Sequence, residues 1–282
     1  MKKTLLTICL VWMCFSLSAQ KIIDLSGKWS FSIDRQDNGE KEKWFSHTLN
    51  DFINLPGSMP EKLKGDEVTA KTQWTGSLYD SSYYYNPYME KYRKEGNIKF
   101  PFFLTPDKHY VGAAWYQKEV NIPADWKGER ILLFLERPHI ETTVWVNGQK
   151  TGMQNSLCVP HQYDITRYVR PGKCTITIRV DNRIKEINVG PDSHSITDQT
   201  QGNWNGIVGR ICLQTTPKTY IDDIQIYPEP EQKLARVKVV IKGTGTAKVK
   251  LSAESFNTDK KHIVPAIPQE IKLKKGVPET EM

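Results

Sequence analysis

The chain has 282 residues, 38% of them hydrophobic and 25% charged, which is enough apolar material for one large or two medium domains and excludes global disorder. The formal charge is +7, falling to +5 (37 basic minus 32 acidic residues) if Lys2 and Lys3 leave with a leader. The basic residues are scattered along the chain rather than clustered, so composition offers no nucleic-acid patch.

Met1 to about Ala19 reads as a secretory leader. Lys2-Lys3 is its charged start, Leu5 to Phe15 its apolar stretch, and Leu17-Ser18-Ala19 supplies the cleavage positions before Gln20. The apolar stretch is too short for a membrane span, and no other run of ~18 apolar residues follows. Neither Cys9 nor Cys14 sits in a lipoprotein cleavage context. The expectation is an exported protein, periplasmic or extracellular, with no membrane attachment after cleavage. Cys158, Cys174 and Cys212 then remain, without CxxC spacing or histidines at ligand intervals. They read as small buried or half-buried side chains, with one disulfide left open as an alternative.

Residues 24–34 alternate, with Trp29, Phe31 and Ile33 on one side and Lys28, Ser30 and Ser32 on the other. Period two marks a half-buried strand. Ile53-Asn54-Leu55 is a short strand ended by Pro56-Gly57. Residues 66–110 are rich in aromatics, from Trp74 through Tyr79, Tyr83, Tyr84, Tyr85 and Tyr88 to Tyr110, and keep no clean period. They read as a long, aromatic, partly ordered loop. Strand signals return at 115–122, at Glu129 to Leu135 and at Thr142 to Val146. The last turns at Asn147-Gly148, a strong hairpin signal. Tyr163 to Thr166, Cys174 to Asp181 and Gly209 to Leu213 complete an all-β set without helical periodicity, which predicts an antiparallel sandwich. Pro217 reads as a boundary. Beyond it Tyr220 to Tyr227, Arg236 to Ile241 and Ala247 to Ala253 open a second sandwich. A complete immunoglobulin-like domain needs about 100 residues and seven strands, so 218–282 is expected to be an incomplete one.

Several of these segments together carry a resemblance. Leu25-Ser26-Gly27-Lys28-Trp29-Ser30-Phe31, Leu55-Pro56-Gly57-Ser58, Trp115-Tyr116-Gln117-Lys118-Glu119-Val120 with Ile122-Pro123, Val144-Trp145-Val146-Asn147-Gly148, Tyr163-Asp164-Ile165-Thr166, Trp204-Asn205-Gly206-Ile207-Val208-Gly209 and Ile221-Asp222-Asp223-Ile224 occur in that order. Singly each is weak; jointly they resemble the N-terminal sugar-binding domain of glycoside hydrolase family 2, followed by the lead strand of its second domain. The resemblance implies a jelly-roll (galactose-binding-like) sandwich over 22–217 and an incomplete immunoglobulin-like sandwich over 218–282.

The chemistry the family implies is retaining hydrolysis of a terminal β-linked sugar by two carboxyl groups ~5–5.5 Å apart. In the family these are glutamates on a barrel that follows the sandwiches. Such a barrel takes ~250 residues, and no strand-helix alternation occurs in this chain. No catalytic residue is therefore carried over, and no cofactor or metal is implied. In β-galactosidase and β-glucuronidase members an aspartate six residues before the glycine of the Gly-Ile motif contacts the sugar. Six residues before Gly206 stands Thr200, with Asp198 two further away. Asp198 is the candidate for that contact if the loop length differs; otherwise it is a turn residue in a polar loop.

Trp204 and Asn205 are the other candidate sugar contacts. An aromatic face stacks on the C–H face of a sugar and an amide pairs with hydroxyls. The competing reading has Trp204 plugging the end of the sandwich. The tyrosines at 79–88 either line a further subsite or pack on themselves, over a sheet edge or against the barrel. His109, His139, His161 and His194 share no metal-ligand spacing, and no GxSxG nucleophile motif is present. Asp222 and Asp223 are neighbours on a strand and point to opposite faces; with Glu119, Glu129 and Glu136 they read as solvated charges.

The resulting expectation is the N-terminal, non-catalytic portion of a secreted family 2 hydrolase, inactive by itself. Galactose is the first choice of sugar and glucuronate the second. Its partners would be a carbohydrate and the C-terminal catalytic barrel; oligomeric state is open. The alternative is a stand-alone carbohydrate-binding protein, whose second sandwich would then need to close its sheet edges.

Overall fold

The structure, a computed structural model, describes residues 20–69, 71–75, 85–99, 105–185, 198, 202–243, 245–254, 259–260, 263–264, 268–273 and 279–281. The leader, Tyr79, Tyr83, Tyr84 and the turn at 192–197 lie outside the described residues. In chain order the first thirteen strands are β1 (Ile22–Asp24), β2 (Gly27–Asp34), β3 (Asp51–Leu55), β4 (Gly57–Ser58), β5 (Asp66–Glu67), β6 (Lys108–His109), β7 (Ala113–Ile122), β8 (Arg130–Pro138), β9 (Glu141–Val146), β10 (Gln149–Asn155), β11 (His161–Asp164), β12 (Gly172–Asp181) and β13 (Gly206–Thr216). One sheet runs β10-β9-β12-β7-β2-β3; the other runs β1-β13-β8-β11, with β4 also paired to β13. Every pairing among them is antiparallel.

Alternation decides what goes inside. Ala114, Tyr116, Val120 and Ile122 of β7, Ile176, Ile178 and Val180 of β12, Val144 and Val146 of β9, and Trp29 and Phe31 of β2 all enter one core. They meet Ile131, Leu133 and Leu135 of β8 and Ile207, Ile211 and Leu213 of β13. The period-two reading of β2 and the strand readings of the other segments therefore hold, and the fold is the antiparallel sandwich the sequence predicts.

The opening strand departs from it. In place of one strand over 24–34, the chain changes sheets at Leu25-Ser26. Ser26 N–H donates to Asp24 Oδ1 at 3.0 Å, and Leu25 N–H donates to the Ile211 carbonyl at 2.9 Å. The aspartate's local turn outcompetes the continuous ladder. The hairpin at Asn147-Gly148 forms as expected. Asn147 has φ 50° and Gly148 φ 76°, the paired left-handed geometry of a type I′ turn, which asparagine and glycine tolerate.

The outer face of the six-stranded sheet is also buried, which period two did not foretell. Residues 35–50 fold back over it. Trp115 and Trp145 stack with centroids 4.9 Å apart, and Phe45 stacks on Trp145 at 5.2 Å. Trp44 and Leu49 join this second cluster. The Trp115 indole N–H donates to Asp34 at 2.9 Å, and the Asp34 carboxylate also accepts the backbone N–H groups of Asn38 and Gly39. At one side of this face Arg179 bridges Asp37, Glu141 and Asp181, and Arg183 and Lys185 close the cluster. Burial pushes the Asp181 carboxyl up, but hydrogen bonds from Arg183 and Lys185 outweigh it and hold the group well below the usual carboxylate range.

Beyond Thr216 come β14 (Tyr220–Glu229), β15 (Leu234–Lys242), β16 (Gly245–Val249), β17 (Ala253–Glu254), β18 (Ile263–Val264), β19 (Gln269–Leu273) and β20 (Glu279–Glu281). They form small antiparallel sheets, β14-β15-β20, β16-β19 and β17-β18. Val237, Val239 and Ile241 make a second small core with Ala247, Val249 and Leu251. The register slips between Ile221 and Asp223, so Asp222 is bulged out of the β14 ladder and pairs with Lys242 at 2.8 Å.

Trp115 is fully buried between the sheet and the 35–50 segment. Trp115→Ala is expected to cost about 3–5 kcal/mol, read as a lower denaturant midpoint. Trp115→Phe, which keeps a ring but loses the Asp34 bond, should cost visibly less. Equal, small losses for both would show that residues 35–50 do not seal this face.

Candidate functional site

The candidate residues lie at one end of the sandwich, where the loop preceding β13 meets the loops before β7 and after β12. Asn205 is the residue before β13. Its side-chain N–H groups donate to the carbonyls of Gly112 and Val180, each at 2.9 Å, and its oxygen accepts the Tyr116 hydroxyl at 2.7 Å. No part of it reaches the surface (0% exposed). Asn205 is thus removed from the set of sugar contacts: both amide hydrogens are engaged and the side chain is sealed in. The same burial raises the Tyr116 hydroxyl pKa well above its ordinary value. Gly206 follows because a side chain there would strike the Gly57 carbonyl oxygen at 2.5 Å, and its φ of 146° suits only glycine.

Asn182 repeats the device one loop away. It accepts the Gly112 N–H at 2.8 Å and donates to the Tyr110 carbonyl at 2.9 Å. Asn203 extends it outward, its amide nitrogen donating to the Asn182 carbonyl and to the Thr75 hydroxyl, both at 3.0 Å.

Asp198 is placed beside Asn203, as a clamp rather than an open ligand. Its carboxylate accepts the backbone N–H of Asn203 and that of Thr75, both at 2.6 Å, and His109 Nε2 lies 3.4 Å away. Its own N–H donates to the Thr75 carbonyl at 3.1 Å. Only 2% of it is exposed. The carboxylate thus ties 74–75, 109 and 203 together.

Trp204 is half-buried and stacks on the His139 imidazole, centroids 4.5 Å apart and planes 18° from parallel. His139 Nε2 lies 3.1 Å from the Asn203 side-chain oxygen. Because the Asn203 nitrogen is already a donor to Thr75 and Asn182, its oxygen faces His139 and the imidazole is the Nε2–H tautomer. Burial pushes the His139 pKa down to about 4 against the pull of Asn203 and Asp198, so the ring is neutral at neutral pH. Trp74, half-buried as well, packs edge-on against His109 at 4.7 Å. An open groove of about 470 Å³ beside His109 is lined by Arg35, Asp66, Glu67, Lys71, Gln73 and Tyr110. Arg35 pairs with Asp66 and Lys108 with Glu67, so much of its charge is internally compensated.

Of the sequence candidates, Asp198 and Trp204 come together through Asn203, and Asn205 lies behind them in the frame. His109, His139, Asn203 and Trp74 complete the cluster and carried no spacing signal. They converge from positions up to 130 residues apart, between Trp74 and Trp204 (204 minus 74). The remaining candidates disperse. His161 is buried against the Thr142 hydroxyl at 2.6 Å, Glu119 pairs with Lys173 and Glu136 with Arg210, and Tyr85 and Tyr88 are exposed. Cys174 and Cys212 are buried and free, burial pushing the Cys174 thiol up to about 11; Cys158, expected to be at least half-buried, is exposed. Among the described residues no three His, Cys, Asp or Glu side chains are grouped to hold a metal.

A model of the sugar binding domain of glycosyl hydrolases family 2 matches residues 22–217. The chain belongs to that family. The β-glucuronidase of Homo sapiens is 25% identical over 266 residues, which cover 84% of this chain and 35% of the relative. The β-glucuronidase of Paenibacillus borealis is 25% identical over 222 residues, 73% of this chain and 31% of the relative. A β-glucuronidase structure from Ruminococcus gnavus in complex with D-glucuronic acid covers 90% of this chain and 40% of its own, at TM-score 0.55 and 17% identity, a likeness of fold. The chain spans about a third of the length of these relatives. All three carry the name of the second sugar choice, glucuronate, and the first choice, galactose, gains no support from them.

Two outcomes test the frame. Asn205→Ala leaves two carbonyls and a tyrosine hydroxyl without their partner and is expected to cost about 2–4 kcal/mol, measured by chemical denaturation. For His139, the folded-state pKa lies below the unfolded one, so the unfolded state binds the extra proton. Stability is therefore expected to fall as pH drops from about 6.5 to about 4, by roughly 3 kcal/mol at most. His139→Gln should flatten this limb of a thermal-midpoint-versus-pH curve; an unchanged limb would remove His139 as its source.

Proposed function

We propose that this chain is the sugar-binding portion of a β-glucuronidase, a retaining exo-hydrolase of terminal β-glucuronosides whose catalytic carboxyl pair stands on a barrel outside these 282 residues. The observation that carries the reading is the match to β-glucuronidases across 84% of the chain. The end bearing Asp198 and Trp204 supports it, because it combines a half-exposed indole with a rigid polar frame, the combination that orients a saccharide. In this reading the chain supplies binding and orientation, and Asp198 acts on the sugar mainly by fixing the loops around it. The leader read in residues 1–19 supports export.

A protein that joins this chain to a family 2 barrel is expected to hydrolyse nitrophenyl β-glucuronide with a kcat/KM at least tenfold above that for nitrophenyl β-galactoside or β-mannoside. The 282-residue chain by itself should hydrolyse none of them. Turnover by the chain alone, or a preference for galactoside, overturns the reading.

A further inference from the structure

We propose that Trp74 forms a second aromatic wall of the sugar site, opposite the polar frame from Trp204, and is a specificity-determining residue for the bound sugar. The inference rests on the reading of this end as a saccharide site. Nothing in the family motifs points to residue 74; the geometry does.

Thr75 and Asn203 are laced to each other and to the same carboxylate. Thr75 N–H and Asn203 N–H both donate to Asp198 at 2.6 Å, Asp198 N–H returns a bond to the Thr75 carbonyl at 3.1 Å, and the Asn203 amide reaches the Thr75 hydroxyl at 3.0 Å. Trp74 immediately precedes Thr75 in the chain, and Trp204 immediately follows Asn203. Each indole is backed by an imidazole, Trp74 by His109 and Trp204 by His139. Both histidines are buried, and His109 in turn abuts Asp198. Two aromatic rings are thus anchored to one internal clamp, and neither is free to drift from it.

Exposure together with the state of the indole N–H separates these rings from the structural tryptophans: Trp44 is half-buried too, but its ring packs against Trp115 and its N–H donates to Glu42 at 2.9 Å. Trp29, Trp115, Trp126 and Trp145 are all at most 3% exposed. Trp74 and Trp204 are half-buried although the residues beside them in the frame are sealed. Neither indole N–H has a hydrogen-bond partner among the described residues. A half-buried, rigidly backed indole whose N–H no described residue takes presents an apolar face and one donor. That suits a pyranose, whose axial C–H groups pack on the ring while a hydroxyl or carboxylate oxygen takes the N–H.

The test uses the full-length protein containing this chain, with methyl β-D-glucuronide as probe, followed by saturation-transfer NMR and titration. Trp74→Leu keeps apolar bulk against His109 but removes the ring, and is expected to weaken binding about 3- to 10-fold with an unchanged thermal midpoint. Trp74→Phe, which keeps a π face, should retain most of the affinity. Wild-type affinity in Trp74→Leu, with Trp204→Leu weakened, would overturn the second wall and leave the site standing. Equal losses in Trp74→Leu and Trp74→Phe, with a lowered midpoint, would assign Trp74 to packing and overturn the proposal. If the wild-type protein hydrolyses glucuronide but Trp204→Leu and Trp74→Leu both bind normally, the sugar lies elsewhere and both the wall and the site fail.

Discussion

The end of the sandwich is held by one asparagine. A sheet satisfies its polar groups sideways and buries its faces, but its strand ends and connecting loops are left to find partners of their own. Asn205 answers for three of them at once: the carbonyl before β7, a carbonyl within β12 and the hydroxyl of Tyr116 rising from β7 through the core. β13 belongs to the opposite sheet from β7 and β12. The two layers are therefore joined at this end by directional bonds, as they are between Thr142 of β9 and His161 and Tyr163 of β11, whereas the core between meets through apolar packing that specifies distance more than alignment. Asn203 and Trp204 are two and one residues away, so their positions follow from the Asn205 anchor.

The charged cluster on the outer face works toward the same end. Asp37, Glu141 and Asp181 meet Arg179, Arg183 and Lys185, three charges of each sign. Burying such charges gains little net stability, since desolvation offsets most of the attraction. The cluster does restrict geometry. It fixes Asp181 at the end of β12, and Asn182 is the next residue, bonded to Gly112 and Tyr110. Segment 35–50 contributes Asp37 from one side and Phe45 and Trp44 from the other. Sealing the outer face and aligning the candidate site are consequently one arrangement.

What could be read from the sequence divides along these lines. Alternation over 24–34 placed Trp29, Phe31 and Ile33 on one side, and Asn147-Gly148 announced its turn, because both signals are local. The cover over Trp115 and Trp145 was invisible, since a strand buried on its second face by a loop 70 residues away leaves no period of its own. That separation is the span of the Gln117 to His47 bond. Asn205 was misread for the same reason. Its neighbours Trp204 and Gly206 suggested an exposed loop, while its partners Gly112 and Tyr116 stand 93 and 89 positions earlier. Motif spacing pointed to Thr200 and reached Asp198 only by allowing a different loop length, and whether the Asp198 carboxylate faced solvent or the Thr75 and Asn203 N–H groups depended on tertiary structure alone.

Within this end of the fold, saturated and unsaturated groups are segregated. Asn182 and Asn205 have their polar capacity engaged by protein, and Asp198 nearly so; each is buried. Trp74 and Trp204 sit beside them with surface uncovered. A ligand would displace none of the frame's hydrogen bonds to contact the indoles, so binding there would cost little reorganisation. In the proposed reading, a wall fixed through Thr75 and Asn203 contributes affinity and orientation. The reverse assignment, with Asp198 opening to grip the sugar directly, would release two backbone N–H groups at 2.6 Å and uncouple both tryptophan loops. The hydrogen-bond pattern therefore favours a division in which the carboxylate organises the site and the aromatic faces meet the substrate.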